Sequence, residues 1–189
     1  MRMPVLSRRG LVAAAAAAML LPAVCLAHDY TYLEGGYVSV DNGSNDDGGY
    51  NLGASFNVIP NLAIIGEWTD TGPFEQLSAG GLFHTPLTNT VDLNLGATFE
   101  HADAGAVDDT GYGLRGGVRW WAVPGKFELI PEVRYVDVFN SDATSLRATG
   151  LVRVARQLDL EGMVQGGDDD RFGVGLRYNF GDSANNRRS

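Results

Sequence analysis

Of the 189 residues, one is cysteine, Cys25, and it falls inside a leader-like N-terminus. The chain beyond it therefore carries no disulfide, no thiolate metal centre and no cysteine nucleophile. Lysine is almost as scarce: Lys126 is the one lysine among 14 basic residues. The cations are arginines, whose planar five-donor fork suits confined pairing better than an ammonium does. Acids outnumber bases 23 to 14, giving a net charge of −9, which argues against nucleic acid as a partner. No apolar run reaches the ~18 residues expected of a spanning helix. No stretch beyond the leader shows a 3.6-residue period, so a helical class is excluded.

The leader reads from its own chemistry. Arg2, Arg8 and Arg9 precede an apolar run from Leu11 to Val24, and Cys25-Leu26-Ala27 offers small residues for cleavage. This is the pattern of a secretory signal over residues 1–27, cut after Ala27. "SRRG" invites a twin-arginine reading, but nothing in the chain calls for folding before export. Cys25 as a lipoprotein cysteine is opposed by bulky Val24 and by Pro22 where leucine is usual. Three bases and no acid leave with the leader, so the chain from His28 is more acidic still. It suits one domain, 28–180, followed by a polar tail, 181–189.

That domain alternates with period two. Ten segments are predicted as strands: 31–40, 48–59, 61–70, 74–84, 90–102, 111–122, 126–138, 143–155, 157–166 and 170–180. Gly, Asn, Asp and Pro punctuate them. The connections alternate between tight ones, such as "IPN" (59–61) and "VPGK" (123–126), and longer acidic ones, such as "DNGSNDDGG" (41–49) and "HADAGAVDDTG" (101–111). The fold class is all-β: a transmembrane antiparallel up-and-down β-barrel of ten strands, with eight as the alternative if weak segments such as 74–84 merge. Pro131 interrupts one strand, and a bulge or a lost ladder bond is expected there.

Which face is wet follows from the aromatics. On the apolar parity, Tyr50, Trp68, Phe99, Tyr112, Tyr135 and Phe172 fall at the long-loop end. Phe56, Phe83, Trp120, Phe127, Tyr178 and Phe180 fall at the other, with aliphatic residues and glycine between. Two aromatic belts around an aliphatic band mark bilayer interfaces, whereas a soluble core has no reason to sort rings by height. The opposite parity, facing inward, carries Glu34, Glu67, Asp92, Glu100, Arg115, Arg119, Glu128, Glu132, Arg134, Arg147, Arg153, Asp159, Glu161, Arg171 and Arg177. The acids fall on odd-numbered strands and the arginines, Arg134 aside, on even-numbered ones. A lumenal network of paired charges is expected. Barrels of this size are closer to filled than to open, so a largely occluded lumen is the first expectation and a narrow ion-scale pore the alternative.

The closing "GVGLRYNF", with Gly175, Tyr178 and Phe180, resembles the terminal assembly signal of small bacterial outer-membrane barrels of the OmpX or opacity-protein kind. The opening "DYTYLEGGYVSVDN" is similar, more narrowly, to the diffusible-signal-factor-regulated outer-membrane barrels of xanthomonad-type bacteria. The resemblance implies a monomer in the outer membrane, in contact with its lipid and lipopolysaccharide, whose last strand is read by the barrel-insertion machinery. The nine residues after Phe180 depart from members that end at the aromatic. Roles in envelope integrity or surface contact through acidic outer loops follow as expectations.

Sharper chemistry finds little purchase. His101 with Glu100 and Asp103, beside Asp108 and Asp109, could form a hydrolytic rim site, but no nucleophile stands at a matching spacing. His28 and His84 carry no pattern of their own. "GGDDD" (166–170) and "VDDTG" (107–111) lack the ligand periodicity of a calcium loop. No catalytic residue, metal or cofactor is expected. A soluble lipid-binding barrel would need its apolar parity inside, which the aromatic sorting opposes.

Overall fold

Alternation of an apolar with a polar residue over nine or more positions forces one face of each strand into lipid and the other into the bore. Closing the sheet on itself then removes the edges that lipid could not satisfy. The computed structural model describes residues 28–41, 46–105, 107–139, 141–168 and 170–180; the leader and the tail lie outside the described residues. Ten strands follow in chain order: β1 (Tyr32–Asp41), β2 (Asp46–Ile59), β3 (Leu62–Asp70), β4 (Glu75–Pro86) and β5 (Val91–Asp103), then β6 (Asp108–Val123), β7 (Phe127–Val138), β8 (Ser141–Ala155), β9 (Leu158–Gly167) and β10 (Asp170–Asn179). Each pairs antiparallel with its sequence neighbour, and β1 closes on β10 with Tyr32 opposite Asn179. The ten-strand count holds. Segment 74–84 is a full strand, paired along its length with β5.

One end, called the terminal end, collects the four tight turns and both ends of the barrel chain. The other is the loop end. There the strands run further than the alternation of polarity suggests: β2 starts at Asp46, β6 at Asp108 and β8 at Ser141. Residues read as long acidic loops are thus largely paired strand. Beyond the lipid, water covers both faces, so polarity stops alternating while backbone pairing continues. The acids there line strand ends.

The outward face is apolar and open. Leu33, Leu52, Ile64, Leu95, Leu114, Leu146, Leu160 and Val174 are each about half exposed or more, and Tyr50, Phe99, Tyr112 and Phe172 cap them at the loop end. Phe56, Trp120, Tyr178 and Phe180 cap them at the terminal end. No water-soluble surface carries a continuous apolar belt of this extent. Leu114, 51% exposed between the two girdles, gives a direct check. Leu114→Arg is expected to cost about 2–4 kcal/mol of folding free energy in a bilayer, read by urea titration in lipid vesicles. A loss below about 0.5 kcal/mol, the size of an ordinary surface change, would mean that this face does not meet lipid.

Pro131 breaks the wall on one side only. The β6–β7 ladder passes from Gly117 opposite Glu132 to Trp120 opposite Leu129 without a shift of register. Toward β8, Pro131 stays paired opposite Ala148. A missing N–H, rather than a bulge, accounts for the gap. The strands come close beside it: a Cβ added at Gly117 would lie 2.3 Å from the Pro131 carbonyl oxygen, so this position requires glycine.

Candidate functional site

The bore is the one interior this fold makes, and side chains fill it in clusters. Farther from the terminal end, Glu67 of β3 receives three arginines from the opposite wall. Arg134 donates from Nη1 to Oε1 at 3.1 Å and from Nη2 to Oε2 at 2.9 Å. Arg147 Nη1 donates to Oε1 at 2.9 Å and Arg115 Nη1 to Oε2 at 3.5 Å. These bonds span the bore. Glu132 lies 3.6 Å from Arg134 Nε, and Gln165 accepts from Arg147 Nε at 2.8 Å. Glu100, 1% exposed, takes hydroxyl bonds from Ser78 and Thr98 and an amide bond from Gln76, which also accepts from Arg171 at 3.3 Å.

A second cluster stays within one wall. Glu34 and Arg177 stand opposite each other on β1 and β10, with Nε to Oε2 at 2.7 Å, while Arg177 Nη2 lies 3.3 Å from Glu161 of β9. The guanidinium sits over the Tyr32 ring at 4.1 Å. Arg153 pairs with Asp159, directly opposite on β9, and Asn179 Nδ2 donates to the same carboxylate at 2.8 Å.

The third cluster closes the terminal end, and chain preceding β1 builds it. Arg119 and Glu128 form a two-bond pair, Nε to Oε1 at 2.5 Å and Nη2 to Oε2 at 2.9 Å, both side chains almost fully buried. His28 places Nδ1 2.8 Å from Glu128 Oε1 and Nε2 3.9 Å from Asp92 Oδ1, and stacks on Trp121 at 5.4 Å. Tyr30, 2% exposed, donates toward Asn94 at 2.7 Å and Asp92 at 3.1 Å, stacks on His84 at 3.6 Å, and lies under Arg119 at 4.6 Å. Burial pushes its phenol far above the ordinary range, Arg119 opposing only in part, so the hydroxyl keeps its proton and remains a donor.

All fifteen charges expected inside are thus placed by the structure, and Asp92 serves a tyrosine and a histidine rather than an arginine. His28, His84, Tyr30, Asn94 and Trp121 escaped the sequence reading. A signal was available: Tyr30 and Tyr32 share the parity of Glu34, the wet face, where rings have no interface to occupy. His101 lies on the outward parity, opposite Leu77 and Thr110, on the other side of the wall from the bore acids. Among the described residues no group of side chains is arranged to hold a metal ion.

A second surface is the loop-end rim on the outward parity. Asp70 stands opposite Glu75, Glu75 opposite Asp103, and Asp103 opposite Asp108, an unbroken row across four strands. Asp137 stands opposite Asp142. Like charges directly opposite destabilise a sheet, so the row is costly in isolation. Local bonds occupy part of it: Trp68 Nε1 donates to Glu75 at 2.7 Å, and the N–H groups of Gly72 and Gly105 donate to Asp70 and Asp103.

No family model and no curated protein matches the sequence. Among solved structures, the chain is similar to the KdgM porin, with a TM-score of 0.53 and 11% identity over 79% of this chain and 99% of that one. It is equally similar to the KdgM porin in complex with disordered oligogalacturonate, with a TM-score of 0.52 and 10% identity over the same shares. At such identity no residue role passes between the chains; what the likeness shows is the fold, a closed antiparallel up-and-down β-barrel.

Proposed function

We propose that this chain is an outer-membrane barrel of a bacterial envelope whose bore is closed at rest and whose loop-end rim is its working surface, in envelope integrity or surface contact. The leader 1–27 would export it, the terminal end would face the periplasm, and the barrel would act as a monomer. The carrying observation is that Glu67 reaches across the bore to Arg134 and Arg147, so charged side chains cross the only passage. The row of rim carboxylates sits just beyond the aromatic girdle, at headgroup height, where divalent cations could bridge it to lipopolysaccharide phosphate. Gly175 on β10, with outward Tyr178 and Phe180 following it in ring contact at 5.0 Å, would be the segment the insertion machinery reads.

Single-channel recording of the exported protein in planar bilayers tests the closed bore. The native chain is expected to be silent, and an Arg134→Ala/Arg147→Ala variant, which removes the side chains that meet Glu67 across the bore, to show openings. Steady native openings would overturn the reading in favour of a narrow pore. One observation favours that second reading: three arginines surround a single carboxylate at Glu67, an anion-attracting stretch, and a fold neighbour is described in complex with oligogalacturonate. Anion selectivity of the native openings would then be its signature.

A further inference from the structure

We infer that His28–Tyr30 is a displaceable plug for the terminal mouth of the bore, seated in a receptor built by β4 to β7. This deepens the closed-bore reading and rests on it, but the geometry is its own. The segment leaves the start of β1 and does not continue the wall. It crosses instead into the bore, where the polar and aromatic partners of the His28 and Tyr30 side chains belong to strands remote from β1 around the barrel: His84 of β4, Asp92 and Asn94 of β5, Arg119 and Trp121 of β6, and Glu128 of β7. The plug's backbone is held as well. Arg119 Nη1 donates to the Asp29 carbonyl at 2.7 Å, and Ser55 Oγ to the Tyr30 carbonyl at 2.7 Å.

Two features separate a plug from an ordinary piece of core. Hydrogen bonds, ion pairs and ring stacks dominate its contacts, the Tyr30 ring alone joining a small apolar cluster with Ala63, Ile65 and Leu82, and it precedes the first ladder pair of β1. It can therefore leave without breaking a single strand-to-strand bond. The second feature is what lies behind it. A cavity of ≈ 80 Å³ is lined by Tyr30 and Arg119 on the plug side and by Glu67, Arg115 and Arg147 on the other. Arg177 Nη1 is buried there without a hydrogen-bond partner, Arg177 being only 4% exposed. Unpaired buried donors and acceptors are costly unless water or a small polar solute meets them. The interior is thus a polar chamber with a door, rather than a solid filling.

The chamber can be read with one thiol. Thr149 lines it and is 8% exposed, so Thr149→Cys is a near-isosteric reporter. A Cys25→Ser background keeps it the sole thiol however the leader is processed. The exported protein, extracted folded from membranes, is exposed to a charged, membrane-impermeant maleimide. Labelling is expected to be slow with native Tyr30 and at least tenfold faster in Tyr30→Ala, which loses both hydroxyl bonds and both ring contacts. A milder His28→Ala/Tyr30→Phe variant, which keeps the ring, is expected to fall between them, and circular dichroism reports the folded fraction of each. Equal rates in native protein and both variants would overturn the plug. Fast labelling of native protein that passes no current would overturn it too, while leaving the bore closed by the Glu67 cluster alone. Fast labelling together with native current would overturn both readings.

Discussion

Replacing Glu67 with alanine is expected to lower the unfolding free energy of the barrel by about 3–5 kcal/mol, the cost of removing one partner from a buried charge cluster. Urea titration in lipid vesicles measures it. The size follows from what the carboxylate holds. Three guanidinium groups from β6, β7 and β8 converge on its two oxygens, and none of the four side chains is more than 16% exposed. Without it Arg147 keeps Gln165, and Arg134 keeps Glu132 at 3.6 Å, but the three cations lose the charge that separated them. Glu67→Gln preserves the shape and one acceptor and is expected to lose less. Adding Arg147→Met to the alanine variant removes one of the repelling cations and is expected to recover part of the loss. Sulfate at high concentration is expected to stabilise Glu67→Ala more than native protein, because the emptied position becomes an anion site and binding to the folded state adds stability by mass action. A loss below about 1 kcal/mol would place this cluster in freely exchanging water, and the closed bore would fall with it.

The wall of this molecule was legible in its sequence because a barrel wall is a local object. Period two fixes the two faces, the belts of Tyr50, Phe99, Phe56 and Trp120 fix which one meets lipid, and turn residues fix the number of crossings. Acids and arginines on alternate strands pointed to pairing between neighbours without naming partners, and register supplies them: Glu34 stands directly opposite Arg177, and Arg153 opposite Asp159. The pairs that cross the bore did not follow. Glu67 and Arg147 are 80 residues apart and meet only because curvature brings β3 to face β8, which no alternation pattern encodes. The loop end was misread for a different reason. Strand and loop were told apart by polarity, and beyond the membrane a paired strand is polar on both faces, so Asp46–Asp47 and Asp108–Thr110 looked like loop. The plug was missed because three residues carry no period at all. Only the parity of Tyr30 and Tyr32 marked rings on the wet side.

The pair at the base of the bore carries the second large effect. Glu128→Ala is expected to cost about 3–5 kcal/mol, again by urea titration in vesicles. Glu128 is 1% exposed and Arg119 3%, so deleting the carboxylate strands a guanidinium that has little water to turn to. His28 loses its Nδ1 partner in the same step. Replacing both partners by apolar residues of similar size removes the stranded charge, and such exchanges are often neutral or better. Arg119→Met/Glu128→Leu is therefore expected to regain most of the stability lost by Glu128→Ala. It does not regain what Arg119 does for the chain before β1, because the bond to the Asp29 carbonyl and the cation over the Tyr30 ring both go with it. The double variant should be nearly as stable as the native barrel and yet open at its terminal mouth. Native-like stability with a native-like slow rate at the Thr149→Cys reporter would assign the seating of Tyr30 to Asp92, Asn94 and His84 alone. A double variant as unstable as Glu128→Ala would show that the base of the bore needs its charges for the fold itself and cannot be recast in apolar side chains.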